Sequence, residues 1–187
     1  MAHRSMVALA DGLEALGVAT LRFQFPYRER GSKRVDPPAV AKATVRAAAA
    51  AAQLRAAGLP LFAGGRSFGA RMTSQAMAEQ PLEGVRGLVF FAFPLHPAGR
   101  PSVDRARHLA EVSVPMLFLQ GTKDSLAEVE LLVLAVESLG RRARLILIDN
   151  ADHSFHVPAK FGRKDADVIE DALRSAVEWM RAIAGTR

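Results

Sequence analysis

Apolar residues recur with two different spacings along this chain, and the alternation between them predicts the architecture. Met6, Leu9, Leu13 and Leu16 fall three or four positions apart, as on one face of a helix, with Ser5 placed to cap its start and Gly17 its end. Val18 to Phe25 is dense in Val, Thr, Leu and Phe and is stopped by Pro26, which predicts a strand. After a polar, basic loop from Tyr27 to Val35, Asp36 ahead of Pro37 and Pro38 reads as the cap of an alanine-rich helix that runs to Gly58. Leu59 to Ala63 predicts a second strand, and Met72, Gln75, Ala76 and Glu79 keep helical spacing beyond it. Val85 to Ala92 is a continuous apolar run of strand length, suited to burial on both faces, and Phe93-Pro94-Leu95-His96-Pro97 closes it. A loop with a short helix follows to Val112. Val114 to Gln120 is the next strand, a leucine-rich helix continues through Leu139, and Leu145 to Ile148 is the last strand. A closing helix carries Val168, Ile169, Leu173, Val177 and Met180 on one side.

Strands alternating with helices predict an α/β fold, a mostly parallel sheet with helices on both faces whose ligands gather at the carboxyl ends of the strands. At 187 residues and 50% hydrophobic content, the chain fits a single domain spanning 1–187 with a core of its own. Cysteine is absent. That excludes thiol catalysis, cysteine-ligated metal and disulfides, and it fits a cytoplasmic setting. The start of the chain is broken by Asp11 and Glu14, so Met1 to Leu21 reads neither as a signal segment nor as a membrane span.

A formal charge of +6 raises the question of nucleic acid. The basic residues are scattered, however. The tightest groups, Arg28, Arg30, Lys33, Arg34 and Arg141, Arg142, Arg144, have no interleaved aromatics on which bases could stack. The expected partner is therefore a small molecule, and the surplus positive charge favours an anionic one; neither nucleic acid nor membrane is expected, and oligomeric state is left open.

The chemistry concentrates where an apolar strand meets Gly64-Gly65-Arg66-Ser67-Phe68-Gly69. Gly65-x-Ser67-x-Gly69 suits a serine at the tip of a sharp strand-to-helix turn, a nucleophile elbow, where small residues two positions either side relieve crowding. The new helix would offer the Phe68 N–H to an acyl oxygen gaining negative charge, an oxyanion hole. A glycine-rich turn with a serine cap is the alternative. Two further residues follow strands directly, Asp124 after Val114 to Gln120 and His153 after Leu145 to Ile148. Singly, Asp124 reads as a helix cap and His153 as a solvated turn residue. In the order Ser67, Asp124, His153, at three strand ends, they read as a catalytic triad, with His153 as base and Asp124 orienting its ring. His96 could contact substrate, although a structural histidine between two prolines is the simpler reading. Asp149, Asp152, His153 and His156 crowd one turn and lack metal-site spacing, so no metal and no organic cofactor are expected.

These residues resemble the α/β-hydrolase superfamily in its small dienelactone-hydrolase-like branch. More narrowly, they are similar to the hydrolase-like family named for a testis-expressed protein and a subunit of a chromatin-acetylation complex. Leu21-Arg22-Phe23, Phe25-Pro26-Tyr27, the elbow, Pro94-Leu95-His96-Pro97, Leu119-Gln120-Gly121-Thr122-Lys123-Asp124 and Ala151-Asp152-His153-Ser154-Phe155 carry the likeness over nearly the whole chain. The resemblance implies a serine hydrolase acting on an ester, lactone or thioester, with Ser67 as nucleophile, Asp124 as acid and His153 as base. A non-catalytic interaction module on the same fold is the rival reading. The family opens with a strand and a His-Gly turn, which Met1 to Arg4 are too few to form. The sheet is therefore expected to lack its N-terminal strand, leaving a gap or a forced pairing between Val18 to Phe25 and Leu59 to Ala63.

Overall fold

Four strands form one parallel sheet in sequential order: β1 (Leu61–Arg66), β2 (Val85–Phe91), β3 (Met116–Gly121) and β4 (Ala143–Ile148). The structure is a computed structural model that describes residues 4–185. Each strand joins beside its predecessor, so right-handed crossovers put every connection between them on one face. On that face lie α4 (Phe68–Glu79), a 3₁₀ stretch (Asp104–Glu111) and α5 (Val129–Glu137), joined by α3 (Pro38–Arg55). The other face is covered by α1 (Arg4–Ala15) and α6 (Asp165–Gly185). A short helix, α2 (Pro26–Glu29), interrupts the basic loop.

The period-two alternation of strand side chains divides the core. Leu88, Phe90, Met116 and Phe118 face α4 and its neighbours; Val89, Phe91, Leu117 and Leu119 face α1 and α6. That double burial is why β2 and β3 read as unbroken apolar runs rather than alternating ones. Phe90 and Phe118 are wholly buried with ring centroids 4.9 Å apart, and burial of each such side chain contributes about 1.5–3 kcal/mol. Among the described residues no helix is long and apolar enough to cross a membrane.

Gly17 ends α1 as expected: it adopts φ +79°, and the Val18 N–H closes back on the Leu13 carbonyl at 2.9 Å. The two expected caps are corrected. Helix α1 is already under way at Arg4, and the Ser5 hydroxyl instead accepts from the Arg66 guanidinium at 2.8 Å. Helix α3 starts after Pro37, while the buried Asp36 carboxylate accepts from the Tyr27 N–H at 2.8 Å and the Arg30 guanidinium at 2.6 Å. A backbone and a charged donor together outbid a helix terminus that begins with proline and offers few N–H groups.

The larger correction concerns Val18 to Phe25, which belongs to no strand. Strand propensity expresses itself only where a ladder partner and a surface to bury against both exist, and here Val18 and Phe25 reach the core but no strand of the described sheet pairs with the segment. Leu21 and Phe23 stay exposed, at 40% and 37%, and the rings pack locally, Phe23 on Phe25 at 5.4 Å and Phe25 on Phe68 at 5.2 Å. The described sheet has no strand ahead of β1, as expected, but it shows neither the gap nor the forced pairing, because β1 is its edge. Residues 1–3, on which part of that expectation rested, lie outside the described residues.

Candidate active site

Strand β1 runs on through Gly64 and Gly65 to Arg66, and the chain reverses into α4 at Ser67. Ser67 holds φ 53° and ψ −118°, a conformation that costs a non-glycine residue about 1–3 kcal/mol. Its N–H reaches the Phe91 carbonyl at 3.2 Å, and its own carbonyl accepts the Arg71 N–H at 3.2 Å, so both neighbours hold the strained residue in place. Glycine is needed at 65, where a Cβ would stand 2.9 Å from the Gly69 carbonyl carbon, and at 64, where it would meet the Val89 oxygen at 2.1 Å. At 69 the expected crowding is absent: a Cβ there would touch only the Phe25 ring, at 4.0 Å. Phe68 is the first residue of α4, so its N–H has no acceptor within the helix.

The three residues predicted at strand ends come together. His153 Nε2 lies 2.8 Å from Ser67 Oγ, and His153 Nδ1 lies 2.7 Å from Asp124 Oδ2. Asp124 is buried to 4% exposure, and its other oxygen accepts the Leu126 N–H at 2.8 Å. It caps no helix, because α5 begins only at Val129. The buried carboxylate fixes the ring: Nδ1 carries the proton toward Asp124, which leaves Nε2 to accept the Ser67 hydroxyl proton.

The loops bearing Asp124 and His153 are laced together through their backbones. The Lys123 N–H donates to the Ala151 carbonyl at 2.9 Å, and the Asn150 N–H donates to the Thr122 hydroxyl at 2.8 Å. A Cβ at Gly121 would strike the Ala151 oxygen at 2.2 Å, so this approach also requires glycine. Asp152 does not contact the His153 ring; its carboxylate accepts the Ser154 N–H at 2.6 Å and the His156 N–H at 3.0 Å, tightening the turn. His156 pairs with Asp165 at 2.9 Å, and that hydrogen bond raises the imidazole above its ordinary value.

His96 is a correction. It is 1% exposed, its Nδ1–H donates to the Pro97 carbonyl at 2.9 Å, and its Nε2 accepts the Glu128 N–H at 3.0 Å. Both ring nitrogens are spent on bracing one loop against another, so neither is left to meet a substrate.

Two site residues escaped the sequence reading. Arg66 donates from Nη2 to the His153 carbonyl and from Nη1 to Ser5, each at 2.8 Å, joining α1, the elbow and the histidine loop. Burial lowers its pKa from the ordinary arginine value, partly offset by the Asp152 and Asp124 charges. Gln120 is wholly buried and donates from Nε2 to Asp124 Oδ2 at 2.5 Å, while its Oε1 has no partner among the described residues. A buried amide closing an apolar strand was the available signal for Gln120, whereas Arg66 fills the variable position between the first glycine and the serine of Gly-x-Ser-x-Gly, which carries none.

Comparison with known proteins agrees with the fold. The family described as alpha/beta hydrolase domain matches residues 1–181. A dienelactone hydrolase from Anabaena variabilis superposes with TM-score 0.74 at 21% identity, over 97% of this chain and 80% of its own. An α/β serine hydrolase homologue from Coxiella burnetii gives 0.73 at 22% identity, over 94% and 77%. A member of the α/β serine hydrolases without a lid, from Xanthomonas campestris, gives 0.72 at 24% identity, over 96% and 75%.

Proposed function

We propose that this chain, which belongs to the alpha/beta hydrolase domain family, is a serine hydrolase that cleaves a carboxylic ester, lactone or thioester through an acyl-enzyme. The observation that carries the reading is the His153 ring bridging Ser67 Oγ and a buried Asp124 at 2.8 and 2.7 Å. Ser67 Oγ attacks the acyl carbon while His153 Nε2 takes its proton. The negative charge that develops on the acyl oxygen is met by the Phe68 N–H at the start of α4. His153 then gives the proton to the departing alcohol or thiol. In the second half a water attacks the acyl-Ser67 carbon, surrenders its proton to the same nitrogen, and releases the acid as the proton returns to Ser67. Asp124 keeps its charge throughout and stabilises the imidazolium.

The strain at Ser67 supports the same reading, since the strained turn is where its Oγ meets His153 Nε2. The dienelactone hydrolase neighbour favours an ester or lactone, and the narrower likeness to the testis-expressed and chromatin-complex relatives adds no substrate. The test is hydrolysis of p-nitrophenyl acetate: Ser67→Ala is expected to lower kcat by at least about 10³-fold while melting as the unaltered protein does. Retained turnover in that variant overturns the proposal.

A further inference from the structure

Helix α4 and the 3₁₀ stretch beside it carry two side-chain pairs in register. Ser74 Oγ lies 2.8 Å from His108 Nε2. Three residues before Ser74 is Arg71, and three before His108 is Arg105. A residue at i−3 shares the face of residue i on an α-helix, and in a 3₁₀ turn the two eclipse, so the Ser74–His108 contact brings the two arginines near one another, close enough for the Arg105 charge to act on Arg71. The Ser74 hydroxyl spends its one proton on the Arg71 carbonyl at 3.0 Å, so His108 donates from Nε2, as the neutral Nε2–H tautomer can. Burial and then the Arg71 charge lower its pKa to about 4, in keeping with that state.

Two guanidinium groups held together would ordinarily recruit an acid. Neither Arg71 nor Arg105 has one among the described residues: neighbouring Asp104 is taken by Arg107, both exposed, at 2.6 Å. The Arg71 Nε is buried without an acceptor. Burial, followed by the adjacent Arg105 charge, lowers the Arg71 pKa, but a guanidinium does not shed its proton near neutral pH. A partly buried cation pair with an unmet donor is a poor structural device and a good anion receptor. It also lies close to the elbow, because Arg71 follows Ser67 by one helical turn and donates its N–H to the Ser67 carbonyl.

The geometry points to an anion-binding subsite in which Arg71 and Arg105 receive a carboxylate or phosphoryl group carried by the substrate whose acyl carbon sits at Ser67. This deepens the hydrolase reading and rests on it. The substrate class becomes an acyl compound with a second, negatively charged end, such as the half-ester of a short dicarboxylic acid.

The test compares the p-nitrophenyl monoester of glutaric acid with p-nitrophenyl butyrate as the ratio of their kcat/KM values. The unaltered protein is expected to prefer the charged ester. Arg105→Gln and Arg71→Gln should each cut that preference about ten- to a hundred-fold, as loss of a charge-assisted contact implies, while Arg107→Gln preserves it. Absence of a preference in the unaltered protein, or a preference untouched by both substitutions, overturns the subsite. Should neither ester be turned over, the hydrolase reading fails, and melting in glutarate or inorganic phosphate then decides the subsite alone. A rise in Tm with anion concentration that Arg105→Gln abolishes supports it, the stronger anion identifying the group, and no rise in the unaltered protein refutes it.

Discussion

Replacing Asp124 by asparagine separates the orienting role of the carboxylate from its structural one. In the native site Asp124 accepts three donors, from Leu126, Gln120 and His153, at 2.8, 2.5 and 2.7 Å. An asparagine can keep the Leu126 N–H on its oxygen, which turns its NH₂ toward the other two. Gln120 can then flip its amide, because its Oε1 has no partner to lose, and accept one of the new hydrogens. The second hydrogen points at His153 Nδ1, which must now accept and therefore carry its proton on Nε2. The imidazole would then donate to Ser67 Oγ instead of taking its proton. The flip leaves one end of the Gln120 amide without a partner, as before, with the nitrogen in place of the oxygen, so the stability change is expected at about 1 kcal/mol, or about 2–4 °C in Tm. The rate change is far larger, about 10⁴-fold in kcat, because the base is held in the wrong tautomer; that corresponds to about 5.5 kcal/mol of transition-state stabilisation. Activated-ester turnover and thermal melting on the same preparation read both quantities. Asp124→Asn with more than a tenth of the original kcat would refute the tautomer argument, and a Tm loss above about 10 °C would refute the Gln120 flip.

The elbow glycines should respond unequally. Gly65→Ala forces a Cβ to within 2.9 Å of α4 backbone and is expected to cost about 1–3 kcal/mol along with most esterase activity. Gly69→Ala meets nothing closer than 4.0 Å and should match or exceed the unaltered Tm, since alanine favours a helix over glycine. A Gly69→Ala protein that melts lower than Gly65→Ala would contradict the contact geometry. His108 predicts a pH dependence. Its folded pKa is lowered from 6.5 to about 4, so between those values the unfolded chain binds a proton that the folded chain does not, and stability is lost as pH falls through that window. The interval corresponds to about 3 kcal/mol, reduced to about 2 by solvent screening of the partly exposed ring. His108→Gln should therefore show a flatter Tm profile from pH 6.5 to 4, and an unchanged slope would refute the assignment.

The sheet and the three strand-end residues were legible because they follow from local pattern. Uninterrupted apolar runs in β2 and β3 register burial on two faces, and Ser67, Asp124 and His153 each follow a strand. What was not legible depended on contacts distant in sequence. Val18 to Phe25 has the composition of a strand, yet strand formation is a property of a pair, and the partner is not written in the segment. Asp36 sits where a cap belongs, but Tyr27 and Arg30 claim its carboxylate. His96 looked available until both its nitrogens were found bound across a gap of 32 residues and to the adjacent carbonyl. Arg66 shows no spacing rule at all; its value lies in reaching Ser5 and the His153 carbonyl at once.

The central claim, that Ser67 is a nucleophile activated by His153, is tested most directly by covalent labelling with a fluorophosphonate followed by mass spectrometry of the modified peptide. The phosphorus is attacked by the serine oxygen and fluoride leaves, so the adduct records nucleophilicity without knowledge of the substrate. The account predicts a single adduct on the peptide containing Ser67, absent in Ser67→Ala and much slower to form in His153→Ala. Labelling of another residue, or undiminished labelling in Ser67→Ala, would contradict it.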